Sequence, residues 1–196
     1  TKLGPVYANF VLLDEINRSS AKTQSAMLEA MQEHQTSIGG VIYKMPEVFI
    51  VIATQNPVEQ EGTYLLSEAQ LDRFLLKENL DYPSTDDELE ILNRIEQDAF
   101  SKNDPILELK DVVYLQNLAK KVYIDNSIKK YIIDIINATR HAEKVIPPEL
   151  AKYVTMGSST RGAIAFMECS KALALIRGRA YVIPEDIKSL SYNVLR

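Results

Sequence analysis

Phe10-Val11-Leu12-Leu13-Asp14-Glu15 decides how the rest of this chain is read. Four apolar residues follow one another without a polar interruption. A run this short and this apolar reads as a strand buried on both faces, the kind found in parallel sheets. It stops at two carboxylates, Asp14 and Glu15. In open α/β sheets, ligands lie beyond the carboxyl ends of the strands. Two acids at that place suit nucleoside-triphosphate chemistry, one holding Mg²⁺ through its waters and the other polarising the attacking water. A plainer reading is that Asp14-Glu15 closes a strand and opens a turn, and the hexapeptide alone leaves both open.

Outward from this strand, Asn17-Arg18-Ser19-Ser20 reads as a turn with a serine N-cap, and Ala21 to about Glu33 as a helix. Met27, Ala30, Met31 and His34 recur at spacings of three and four. Thr36-Ser37-Ile38 and Val41-Ile42-Tyr43 flank Gly39-Gly40, a hairpin pattern. Phe49 to Thr54 reads as a second buried strand, ending in Gln55-Asn56 before Pro57. Ser67-Glu68-Ala69-Gln70 is a capping box opening a short helix that carries Asp72 and Arg73. Phe74 to Leu80 is expected to be a third strand.

The pattern changes at Asp81-Tyr82-Pro83-Ser84, where Pro83 disfavours helix at Tyr82 and Ser84 can cap the next helix. Helices are expected over Thr85–Ala99, Asp111–Val122, Asn126–Ala142 and Thr160–Arg177, with a last one opening at Pro184. The Thr160–Arg177 helix is apolar on much of its circumference and should be central. The expected boundary therefore divides residues 1–82, part of an α/β domain, from 83–196, a helical domain.

The 196 residues are 46% hydrophobic and 25% charged, a globular composition with room for one large domain or two small ones. The net charge of −5 gives no basic surplus for nucleic acid. Cys169 is the only cysteine, so no intrachain disulfide forms, which fits a reducing, cytoplasmic setting. No apolar run approaches the ~18 residues of a membrane span. The amino terminus has no signal-peptide pattern and begins almost inside a strand, so the chain reads as a segment of a longer protein.

Further runs now matter together: Gly4-Pro5-Val6; Leu12 to Arg18; Lys22-Thr23-Gln24-Ser25; Leu28 to Glu33; Ala53 to Pro57; Glu61-Gly62-Thr63-Tyr64; and Glu68 to Phe74. In this order they resemble the MoxR family of AAA+ ATPases, from just before the Walker B strand to the end of the lid. The resemblance implies part of an AAA+ P-loop NTPase core, a three-layer parallel-sheet α/β fold, followed by an all-α lid. It implies ATP and Mg²⁺ as cofactors. Asp14 resembles the Walker B residue that orders the metal, and Glu15 the catalytic glutamate. Asn56 resembles sensor 1, and Arg73 the arginine finger that reaches a neighbouring subunit's nucleotide. Arg161, opening a helix after Gly157-Ser158-Ser159-Thr160, resembles sensor 2. The family further implies a ring, usually a hexamer, chaperone-like remodelling of clients, and partners with von Willebrand A domains.

Each position also has a structural reading. Asn56 suits a turn before Pro57, Arg73 suits a surface ion pair with Asp72 or Glu68, and Arg161 suits an exposed first-turn arginine. Several residues depart from the family pattern. Ser67 stands where proline is usual, Thr160-Arg161 where Pro-Arg is usual, and Ile183 where a capping threonine is usual. None of the seven glycines begins a Gly-x-x-x-x-Gly-Lys-Ser/Thr phosphate loop. The family places that loop upstream, so the chain reads as the second part of an ATPase core. His34 and His141 are isolated on predicted helices, and Cys169 reads as a small core residue. Two other readings stand beside the ATPase: a DNA-associated AAA+ motor, which the acidic balance disfavours, and a non-enzymatic helical interaction module.

Overall fold

A computed structural model describes residues 4–56, 64, 66–97 and 104–195. Strand β1 (Phe10–Leu13) is followed by helix α1 (Ala21–Glu33), the hairpin β2 (Gln35–Ile38) and β3 (Val41–Lys44), strand β4 (Ile50–Ala53) and the short helix α2 (Glu68–Leu71). Helices α3 (Thr85–Glu96), α4 (Leu109–Lys120), α5 (Asn126–Arg140), α6 (Pro148–Ala151), α7 (Thr160–Ile176) and α8 (Pro184–Val194) complete the order. No helix among the described residues is long and apolar enough to cross a membrane.

β1 and β4 pair in parallel, with Phe10 beside Ile50 and Leu13 beside Ala53. A parallel pair needs a long connection, and α1 with the hairpin supplies it. The hairpin pairs antiparallel, and Gly39 and Gly40 both take positive φ at its turn, +58° and +80°. α1 starts where expected, since the Ser20 Oγ accepts the Thr23 amide at 3.2 Å. Its buried side chains are Gln24, Met27, Leu28 and Ala30. The chain thus combines part of a parallel-sheet α/β core with a helical assembly, the fold class the sequence implies.

Four expectations are corrected. β1 is not buried on both faces: Val11 is buried, but Phe10 and Leu12 are 58% and 67% exposed, as is Ile52 at 56%. Side chains alternate along a strand, and register puts these three on one face that stays open. Phe74 to Leu80 is not a strand. Its backbone has no ladder partner among the described residues, and the Lys77 amide instead donates to the Asn193 carbonyl at 2.8 Å. A β-prone run becomes a strand only where a neighbour takes its N–H and C=O groups. The two histidines lie at helix ends rather than within helices. His34 takes φ 48° at the end of α1, with its ring edge-on to Phe49, and His141 ends α5. Finally, the helix expected over Thr85–Ala99 ends at Glu96, and its apolar residues Leu89, Leu92 and Ile95 are exposed; Ala99 lies outside the described residues.

The helical core is built on α5, α7 and α8. Ile128, Ile132 and Ile136 of α5 meet Ala163, Phe166 and Ala174 of α7 and Ile187 of α8, with Phe166, Ala174 and Ile187 fully buried. Cys169 is buried in the same helix, and burial, helped by Glu168, pushes its thiol up to about 11. A one-residue bridge joins the segments preceding α5 and α8. There the Tyr123 amide donates to Ala180 at 2.9 Å and the Val182 amide to Tyr123 at 3.0 Å.

Asp186 is fully buried at the start of α8. Arg179 grips it with two bonds of 2.5 and 2.9 Å, Arg177 adds one of 2.9 Å, and the Ile183 amide donates to it at 3.0 Å. Ile183 has no side-chain acceptor, so only half of a capping box forms: the Asp186 carboxylate accepts the Ile183 amide, and the Asp186 amide donates to the Ile183 backbone carbonyl at 3.0 Å.

Candidate active site

The site begins where β1 and β4 end together. Parallel register continues one step past both strands, with the Thr54 amide donating to Leu13 at 2.9 Å and the Ile16 amide to Thr54 at 3.0 Å. Thr54 therefore lies across from the two acids. Its hydroxyl donates to Asp14 Oδ1 at 2.7 Å and accepts the Glu15 amide at 2.8 Å. One side chain thus fixes one acid's carboxylate and the other's backbone.

Glu15 sits at φ 47°, ψ 56°, the left-handed region that non-glycine residues seldom occupy. Its carboxylate is held on both sides. Arg18 Nη1 reaches Oε2 at 3.0 Å, and Asn56 Nδ2 approaches Oε1 at 3.4 Å. The structure thus brings Asp14, Glu15 and Asn56 to one strand-end cluster, with Thr54 and Arg18 added to it.

Below the cluster two buried amides tie the loop after β4 to the segment after β1. Asn17 Nδ2 donates to the Asn56 carbonyl at 3.2 Å, and the Asn17 carbonyl accepts the Tyr64 amide at 2.7 Å. Gln24 Nε2 lies within bonding distance of the carbonyls of Ile16 and Tyr64, at 3.1 and 2.9 Å. Both side chains are almost wholly buried. The family-like run Glu61-Gly62-Thr63 between these anchors lies outside the described residues.

The two remaining site arginines belong to a second cluster. The capping box of α2 forms as expected, the Ser67 amide donating to Gln70 Oε1 at 2.8 Å. α2 ends at Leu71, so Asp72 and Arg73 lie just past it. Arg73 has no carboxylate partner among the described residues; it donates to Gln32 Oε1 at 3.0 Å and to the Ala69 carbonyl at 2.6 Å. The ion pair with Asp72 or Glu68 does not form. Asp72 is engaged instead by Arg161, whose Nη1 lies 3.1 Å from Oδ2. Ser159, the N-cap of α7, also donates to Asp72, with Oγ 2.6 and 2.8 Å from its two carboxylate oxygens.

Sequence reasoning gave no role to Thr54, Arg18 or Ser159, and offered Asp72 only as an ion-pair partner for Arg73. Only Thr54 had a usable signal, since a hydroxyl one residue past a parallel strand faces whatever ends its neighbour.

The chemistry of the first cluster fits a hydrated divalent cation with a polyphosphate. No group of three or more metal-holding side chains occurs among the described residues. Mg²⁺ does not need one, because it is commonly bound through one or two carboxylates with waters and phosphates. Asp14, fixed by Thr54 yet exposed, suits that part.

Known proteins resemble this chain over most of its length. Residues 1–76 match the model of the ATPase family associated with various cellular activities, and residues 150–196 match the AAA lid domain. The chain is 44% identical over its whole length to the chaperone MoxR1 of Mycobacterium tuberculosis, covering 52% of that protein. It is 45% identical over 189 residues, 96% of the chain, to the uncharacterized protein YeaC of Bacillus subtilis, covering 56% of it. The crystal structure of a candidate ATPase from Cytophaga hutchinsonii superposes with a TM-score of 0.87 at 44% identity, over 98% of this chain and 59% of that one. The chain thus spans about half the length of the curated relatives it matches. With two acids just past a parallel strand, an asparagine in the loop after its neighbour and these relatives along its whole length, the chain belongs to the MoxR family of AAA+ ATPases.

Proposed function

We propose that this chain is the second part of a Mg²⁺-dependent ATPase that works as a ring, with residues 1–82 belonging to the nucleotide-binding core and 83–196 forming its lid. The observation that carries this reading is the strand-end cluster: Asp14 held by Thr54, and Glu15 approached by the Asn56 amide. Asp14 is the group to hold Mg²⁺. The bound cation would offset charge on the phosphate oxygens. Glu15 orients a water and draws its proton. Asn56, whose Nδ2 faces Glu15, fixes the carboxylate and is placed to sense the terminal phosphate. Arg161, beside the start of α7, binds phosphate from the lid side. Arg73, tethered to Gln32 and away from the acids' hydrogen-bond network, faces a neighbouring subunit's nucleotide. The phosphate loop belongs to the rest of the protein, so the chain alone is inactive.

The name of the mycobacterial relative, a chaperone, supports remodelling or maturation of client proteins as the work done. A hexameric ring, a cytoplasmic location and partners with von Willebrand A domains complete the proposal. The test uses the longer protein that contains this chain. Glu15→Gln should keep ATP binding and lose turnover by about 10²–10⁴-fold, the range for a positioned general base. Turnover at the unmutated rate would overturn the assignment of Glu15, and an unmutated protein that binds no ATP would overturn the whole reading.

A further inference from the structure

Asp72 joins parts of the chain 87 and 89 residues apart. Its side chain is 22% exposed and accepts from two groups of α7 at once: the Ser159 hydroxyl and the Arg161 guanidinium. The Ser159 hydroxyl is itself a relay, accepting the Arg161 amide at 2.9 Å while donating to Asp72. A carboxylate here is stabilised by the positive end of a 17-residue helix as well as by the arginine. The next residue in the chain is Arg73. Any movement of α7 that carries Ser159 pulls on Asp72, and hence on the backbone from which Arg73 projects.

We propose that Asp72 is a positioning residue coupling the two arginines: it holds Arg161 and the start of α7 while Arg73 rests on Gln32 and the Ala69 carbonyl, and it yields Arg161 to the nucleotide phosphates when they arrive. The proposal rests on the nucleotide reading above and extends it. The carboxylate and a phosphate compete for one guanidinium, so binding by Arg161 loosens the hold on Asp72. Ser159 keeps its link and transmits the displacement of α7 to Arg73. The site on one side of the subunit thereby sets the arginine that serves the next.

Two substitutions separate this from a merely structural role. Asp72→Asn keeps an acceptor for Ser159 but removes the charge that holds Arg161. Ser159→Ala keeps the ion pair but cuts the link to the helix start. In the longer protein, Asp72→Asn should tighten the Kd for ATP by about 2–5-fold, the scale of a partly exposed ion pair, while kcat falls by roughly tenfold or more. Ser159→Ala should leave the Kd within about twofold and lower kcat. Damage to a structural contact would weaken binding instead. Fluorescent-ATP titration and steady-state turnover read both values, with circular dichroism confirming the fold. An unmutated protein that binds ATP, with a Kd unchanged or weakened in Asp72→Asn, overturns the coupling alone. If Asp72→Asn does not fold, an unaltered kcat in Ser159→Ala overturns it equally. An unmutated protein without ATP binding overturns the nucleotide reading and the coupling together.

Discussion

Thr54 and Asp14 meet side chain to side chain, the threonine hydroxyl donating to the carboxylate at 2.7 Å from the end of the neighbouring strand. The same oxygen accepts the Glu15 amide. Thr54→Val keeps the shape and removes both bonds. Partners that orient a metal's ligand commonly matter about 10–100-fold when mutated. The Mg²⁺ concentration for half-maximal turnover should therefore rise by that order, with the melting temperature little changed. A Mg²⁺ titration of ATPase rate checks this, and a curve identical to the unmutated one rules the role out.

Arg73 leans on Gln32 and the Ala69 carbonyl, not on the acids. If it serves a neighbour, Arg73→Ala should bind ATP nearly normally and turn over about 10³–10⁵-fold more slowly. Mixing Arg73→Ala with Glu15→Gln subunits should restore activity, because some interfaces then pair an intact Glu15 with an intact Arg73. With subunit exchange verified by labelling, no recovery on mixing means that the arginine acts within its own subunit.

Among the described residues of the helical part, Asp186 is held by four hydrogen bonds. Burial pushes its carboxyl up, but the bonds from Arg179, the Ile183 amide and Arg177 outweigh this and hold it below the usual range. Its contribution to stability is therefore complete above the ordinary carboxylate pKa of ~3.9 and is lost as pH falls through its lower folded value. Asp125 behaves alike, brought down to about 2 by the Ser127 hydroxyl and amide and the Tyr123 hydroxyl. Thermal melts should stay level from pH 7 to about 5 and fall below about 4. Asp186→Asn should cost roughly 2–3 kcal/mol by urea titration, at the lower end for a broken buried pair because both arginines keep some exposure. A loss under about 0.5 kcal/mol contradicts the assigned role.

Gly157 lies against the end of α5. A Cβ there would fall 2.6 Å from the Arg140 Cα, a backbone atom. The neighbouring Ser158 is fixed to the same helix end, its amide donating to Thr139 and its carbonyl accepting from Arg140. Gly157→Ala should destabilise by about 1–3 kcal/mol, the cost of overpacking. It should also weaken ATP binding, since Arg161 lies only a short way along the chain. Unchanged stability would mean that the segment yields freely.

Much of the fold was legible because its signals are local. The Ser20 cap, the Gly39-Gly40 turn, the capping box at Ser67 and the apolar spacing of α5, α7 and α8 need only a few consecutive residues. Glu15 and Asn56 were legible as residues just past two strands, and parallel pairing brings those ends together. What lay beyond reading is long-range. Nothing in the helical period of α7 announces that Arg161 meets Asp72, and nothing near Phe74 tells that its run finds no ladder partner among the described residues. The open face of β1 is similar: an apolar run shows that a side chain favours burial, not that something covers it.

The left-handed backbone of Glu15 sets folding against the chemistry proposed for its side chain. Sitting there costs an L-residue about 1–2 kcal/mol, and glycine is spared it. Glu15→Gly should therefore melt no lower than the unmutated protein, and it has no carboxylate. Screens that select only for heat resistance will drift toward glycine or asparagine at this position. Thermostabilised versions of the protein need Glu15 held fixed, or they will lose the carboxylate proposed to activate water.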